Sequence, residues 1–196
     1  LPSVEDGSTL TWPDGGMPQE TTVVTNMSDG RKVSLTVPAD TQMFKSGQAF
    51  SGAFQGPYDY TDWYYAEDYG FENYDDIVDL TTFLIGDEYD PMTFSKGVRL
   101  VMHGQALKQV GWSDLDEFHP ITTMLPADDG ALLDALGVED GYLYLDANGD
   151  GVIDETDDLV VWTKHFTYFA TYTPEPTTMS LLALGGLAVL RRRRRQ

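Results

Sequence analysis

The chain has 196 residues, 41% hydrophobic and 12% aromatic, enough to bury a core and too apolar for wholesale disorder. It carries 12 Lys and Arg against 32 Asp and Glu, a net charge of −20, which excludes nucleic acid as a partner and favours divalent cations. There is no Cys, so disulfides, thiolate metal sites and Cys nucleophiles are excluded together.

The chain opens on Leu1 rather than Met, and residues 1–20 hold no basic segment followed by an apolar run. The natural start is therefore expected to lie upstream. Residues 9–60 read as short strands between turns. Thr22-Val23-Val24-Thr25 and the alternating run Lys32 to Val37 flank Asp29-Gly30, the pattern of a hairpin that Pro38 ends. Gly52, Gly56 and Pro57 punctuate the next stretch.

Residues 58–76 hold eight aromatics: Tyr58, Tyr60, Trp63, Tyr64, Tyr65, Tyr69, Phe71 and Tyr74. Seven acids interleave them, from Asp59 to Asp76. The leading reading packs alternate aromatics into the core with acids facing water; the alternative is a sugar site, since aromatic faces beside hydrogen-bonding acids suit a sugar, which would make surface polysaccharide a partner. Asn73 is placed to cap a helix from about Tyr74 to Ile85, with Ile77, Leu80 and Leu84 on one face and Gly86 as its stop. Val98 to Met102 is a further strand, entered from Lys96-Gly97 and left at Gly104. Ser113 could cap a short helical turn through Phe118, ended by His119-Pro120. Asp128 or Asp129 could cap a helix carrying Leu132, Leu133 and Leu136, with Gly137 at its C-terminus.

Residues 146–157 read Asp-Ala-Asn-Gly-Asp-Gly-Val-Ile-Asp-Glu-Thr-Asp. A twelve-residue calcium loop wants oxygen ligands at positions 1, 3, 5, 9 and 12, a carbonyl at 7 and Gly at 6. Those slots hold Asp146, Asn148, Asp150, Asp154 and Asp157, with Val152 at 7 and Gly151 at 6. Alternate short oxygen side chains wrap a hard cation, and Gly151 permits the positive φ of the sharp turn. Ile153 is expected to strut into the core. The cofactor expected here is therefore Ca²⁺, against the alternative of an Asp-rich turn with no metal. Tyr142 to Leu145 alternates like a strand, while Leu159, Trp162 and Phe166 are spaced like one face of an exit helix. A loop with an exit helix only and Asp at position 12 resembles the calcium-binding repeat of type I dockerins over Asp146 to Phe166. Dockerins carry two repeats and this chain shows one, so cohesin binding does not carry over.

The C-terminus closes on Pro174-Glu175-Pro176, an uncharged run of 14 residues from Thr177 to Leu190, and Arg191, Arg192, Arg193, Arg194 and Arg195 before Gln196. As a helix that run spans roughly 21 Å, short of the roughly 30 Å bilayer core. The Arg block favours the cytoplasmic side, leaving residues 1–173 outside. The order of parts closely resembles the PEP-CTERM sorting signal of bacterial surface proteins. The resemblance implies an exosortase-type membrane enzyme as partner, cleavage at or near the tripeptide, and membrane contact through the tail at least until then.

The three histidines, His103, His119 and His165, lie far apart and share no ligand spacing, and G-x-S-x-G, H-E-x-x-H, P-loop and G-x-G-x-x-G are all absent. Nothing in the sequence argues for catalysis. The expected architecture is mainly β, antiparallel and sandwich-like, with a few short helices. Its parts are a β-rich domain over 1–125, a helix–calcium loop–helix over 126–172 and a sorting segment over 173–196 whose apolar run forms a short transmembrane helix. The expected function is that of an exported, non-enzymatic cell-surface or matrix protein stiffened by one Ca²⁺. The alternative is a carbohydrate-binding or carbohydrate-processing module anchored by the same tail.

Overall fold

A computed structural model describes residues 9–27, 30–59, 77–85, 92–114 and 117–174. Most of them lie in antiparallel strands. The largest sheet is built around β9 (Met92–Met102), which is paired on both edges. One edge carries β13 (Asp158–Phe166), which in turn pairs with β12 (Asp140–Leu145). The other edge is shared. β3 (Lys32–Val37) pairs with residues 99–102 and β4 (Met43–Lys45) with residues 92–94, while β2 (Thr21–Asn26) lies outside β3 and β5 (Gln48–Phe50) outside β4. That gives seven strands.

A second, five-stranded sheet runs in the order β11 (Phe118–Pro120), β10 (Gln109–Ser113), β14 (Tyr168–Pro174), β8 (Ile77–Leu84), β7 (Tyr58–Asp59). β1 (Thr9–Trp12) and β6 (Gly52–Gln55) form a third, two-stranded sheet. One core serves all three. It takes Val33, Leu35, Leu100 and Val161 from the large sheet, Phe83, Val110 and Phe169 from the second, and Trp12 and Phe54 from the third. Phe166 joins them, with its ring centroid 5.4 Å from Phe54 and 4.4 Å from Phe94.

Side-chain alternation divides the large sheet into two faces. Val33, Leu35 and Val37, Val98, Leu100 and Met102, and Leu159 and Val161 point into the core. Ser34, Thr36, Arg99, Val101, Asp158 and Val160 take the other face. There α1 (Ala131–Leu136) packs over β9: a Cβ on Gly97 would sit 3.1 Å from Leu133, which is itself fully buried. Gly137 ends α1 in the left-handed conformation, its N–H capping Asp134 and Leu133 carbonyls.

The hairpin of β2 and β3, the strand at 98–102 and the helix ended by Gly137 stand where the sequence puts them. Three helical expectations do not. Residues 77–84 form a strand that is buried on both faces from Leu80 onward, and β-branched Thr81 and Thr82 suit that environment better than a helix. Ser113 closes β10 and Phe118 opens β11, so both ends of the expected turn of helix are extended. The segment after the acidic loop is β13, not an exit helix. Its register shifts between Thr163 and His165, and that bulge brings Leu159 and Phe166, seven residues apart, onto the same core face. Among the described residues α1 is the one α-helix.

Candidate functional site

The acidic loop joins β12 to β13, so it is a strand–loop–strand element at one end of the large sheet. Its backbone is set by Gly149 and Gly151, at φ +76 and +83, a conformation that costs other residues a Cβ clash. Asp146 crosses the loop: its Oδ1 accepts the N–H of Gly149 at 2.6 Å and its Oδ2 that of Gly151 at 2.8 Å. Asn148 Oδ1 accepts from Asp150 N at 2.9 Å, and Asp150 Oδ1 from Val152 N at 2.8 Å. Asp154 Oδ1 accepts both the hydroxyl and the N–H of Thr156, and these bonds hold its carboxyl below the usual range. Asp157 is fully buried and accepts from Ala147 N at 3.0 Å and Asp154 N at 2.9 Å.

All six expected ligand residues thus lie in one short loop, where the side chains of Asp146, Asn148, Asp150, Asp154 and Asp157 bond to its own N–H groups. Among the described residues no group of three or more His, Asp or Glu side chains is arranged to hold a metal ion. The donor set nevertheless suits a hard cation, because every side-chain donor is an oxygen and two further acceptors, the Asn148 amide and the Val152 carbonyl, are neutral. Ile153 departs from expectation. It is 38% exposed, as Val152 is 60% exposed, and neither struts into the core.

A second constellation was not legible in the sequence. Ser34 on β3, His103 just past β9 and Asp158 at the start of β13 meet on the face of the large sheet away from the core. His103 Nε2 is 2.7 Å from Ser34 Oγ, and His103 Nδ1 is 3.0 Å from Asp158 Oδ2. The other oxygen, Asp158 Oδ1, accepts the N–H of Gly104 at 3.1 Å, which fixes the carboxylate beneath the ring. The His103 side chain is 39% exposed, while those of Ser34 and Asp158 are nearly covered.

Two further polar clusters tie elements together. Asp128, ahead of α1, accepts a bidentate pair from Arg99 on β9 and the indole N–H of Trp162 on β13. The Arg99 hydrogen bonds hold its carboxyl low despite partial burial. Between the sheets, Asp140 meets His165 Nε2 at 2.9–3.0 Å and the Trp112 indole N–H at 3.1 Å. Trp112 also stacks on His119, at 4.1 Å between ring centroids.

The aromatic stretch is described only at Tyr58, which is 45% exposed, and Asp59; residues 60–76 lie outside the described residues. Of the sorting segment only Thr173 and Pro174 are described, as the last residues of β14. Glu175, Pro176, the apolar run and Arg191 to Arg195 lie outside. Among the described residues no helix is long and apolar enough to cross a membrane.

Comparison with known families places this chain end in a class. Residues 173–195 match the PEP-CTERM protein-sorting motif. The match supports an exported protein with a C-terminal sorting signal, a substrate of an exosortase, extracytoplasmic and membrane-associated before processing. No curated protein and no solved structure matches the chain.

Proposed function

We propose that the chain is a cell-surface or extracellular-matrix protein of a bacterium, delivered across the membrane and processed there by an exosortase-type enzyme. The observation that carries this reading is the sorting motif at 173–195. Its physical logic is simple. Five arginines resist passage through the bilayer, so they hold the end of the tail inside while the acidic body is displayed outside. Pro174 and Pro176 cannot continue a helix and leave the tripeptide extended for a protease cleft.

The displayed body is a β-rich, sandwich-like scaffold whose part is structural. Its loop 146–157 holds one Ca²⁺ through the carboxylates of Asp146, Asp150, Asp154 and Asp157, the Asn148 amide oxygen and the Val152 carbonyl. The ligand spacing and the left-handed Gly151 support this.

Mass spectrometry of the protein recovered from the surface fraction of its native host tests the reading. The expected mature chain ends at or near Pro174-Glu175-Pro176. Intact peptides running from Thr173 through Leu190 in that fraction would refute processing.

A further inference from the structure

The trio on the face of the large sheet away from the core goes beyond display. We propose that Ser34, His103 and Asp158 form a nucleophilic acyl-transfer centre that hydrolyses small, uncharged carboxylic esters.

Each role follows from an observed contact. Asp158 accepts from His103 Nδ1 at 3.0 Å, which fixes the tautomer with the proton on Nδ1 and leaves Nε2 as an acceptor. Nε2 lies 2.7 Å from Ser34 Oγ, within the range a general base needs. The Gly104 N–H on Asp158 Oδ1 supplies the orienting contact behind the carboxylate. Two strand residues and one from the turn after β9 therefore converge in the order nucleophile, base, orienter. A strand Ser that only needed a hydrogen-bond partner would not require its imidazole to be backed by a buried carboxylate.

The surroundings define the substrate class. Ser34 is registered opposite Val24 on β2 and opposite Val101 on β9, so apolar side chains flank the hydroxyl on either side. Lys32 lies two residues along the same face of β3 and is exposed. Apolar flanks favour an uncharged acyl group, and a cation on that face favours the negative charge that develops on the carbonyl oxygen.

The chemistry balances with water as the only co-reactant. Ser34 Oγ bonds to the ester carbonyl carbon as its proton passes to His103 Nε2. The tetrahedral intermediate collapses, the C–O bond to the alcohol breaks, and His103 returns the proton to the leaving alkoxide. Water then attacks the acyl-serine, with His103 as base, and releases the carboxylic acid and free Ser34.

The test treats the full chain, at saturating Ca²⁺, with a fluorophosphonate probe and with p-nitrophenyl acetate, and locates any adduct by peptide mapping. The expected result is a covalent adduct on Ser34 and ester turnover, both reduced about 100-fold or more in His103→Ala and abolished in Ser34→Ala. Circular dichroism verifies that each variant is folded. An unmodified Ser34 in the unaltered protein overturns the proposal and needs no variant for its interpretation. Equal labelling of the unaltered protein and a folded His103→Ala variant overturns it as well. Neither result touches the export reading, which rests on residues 173–195.

Discussion

Asp157 Oδ1 accepts the backbone N–H of Ala147 at 3.0 Å, so the last residue of the acidic loop is tied to its second. The same carboxylate holds Asp154 N, and Asp157 has no exposed surface. Asp157→Ala strands two donors, at about 1–3 kcal/mol each where water cannot replace the bond. A drop of several degrees in melting temperature is expected even in EDTA. Calorimetry showing an unchanged melting temperature would mean the loop closes without Asp157.

Calcium should stabilise the folded chain and raise its melting temperature. Ligand at 100 times its dissociation constant contributes about 2.7 kcal/mol, and exposed loops of this type bind between micromolar and millimolar. Asp146→Ala combined with Asp157→Ala should abolish the rise. Scans of the unaltered protein that coincide in Ca²⁺ and in EDTA would reduce the loop to a turn.

Asp128 carries a pH dependence whose direction is fixed. The Arg99 hydrogen bonds, helped by Trp162, hold its folded-state pKa below the ordinary range of an aspartate. The resulting stability is fully present above the unfolded pKa and fades as pH falls through the folded one. Asp128→Asn should therefore cost a constant amount from neutral pH to about 5 and lose that cost below about 4. The pair is still partly exposed to solvent, which screens it, so the cost at neutral pH is about 1 kcal/mol. Urea titrations at pH 7 and pH 3 check it; an equal gap at both would assign the effect to packing.

Gly130 has an ordinary φ of −65, yet it has no room for a methyl group. A Cβ there would meet the Trp162 ring at 2.4 Å. Gly130→Ala should destabilise by about 1–3 kcal/mol through overpacking and shift the tryptophan fluorescence as Trp162 moves. An unperturbed emission maximum with unchanged stability would show that α1 can slide off β9 at no cost.

Phe166 links the large sheet to the small one through Phe54 and to β9 through Phe94. Phe166→Ala should cost about 3–5 kcal/mol, the range for emptying a buried aromatic site. If residues 159–166 were a surface helix instead, the loss would be well under half of that.

What the sequence disclosed and what it hid follow from range. Lys32 to Val37 and Tyr142 to Leu145 alternate cleanly, and alternation is local information. The stretch 159–166 carries a false signal. The register against β9 shifts between Thr163 and His165, so Leu159 and Phe166 share the core face and the apolar spacing mimics a helix although Val160, Val161 and Thr163 favour extension. The twelve-residue ligand spacing was legible because it is contiguous. Ser34, His103 and Asp158 are separated by 69 and 55 residues, and only the pairing of β3 with β9 and of β9 with β13 brings them together.

Strand β14 leaves the interior of its sheet, held between β10 and β8, and its final residue is also the first proline of the sorting tripeptide. Thr171 is still fully buried. Only Glu175, Pro176, Thr177 and Thr178 separate that strand from Met179 and the apolar run. Fully stretched, four residues reach at most about 14 Å. With the apolar run seated in the bilayer, as proposed, an uncut precursor would be moored almost flush with the membrane, its acidic shell pressed against the headgroups, with little slack for a protease to work in. Cleavage after Pro174 would spare every strand pairing, whereas a cut three residues earlier would begin to unzip the sheet. The boundary between folded body and address label therefore sets both where scission is harmless and how far the body can stand off before it is released.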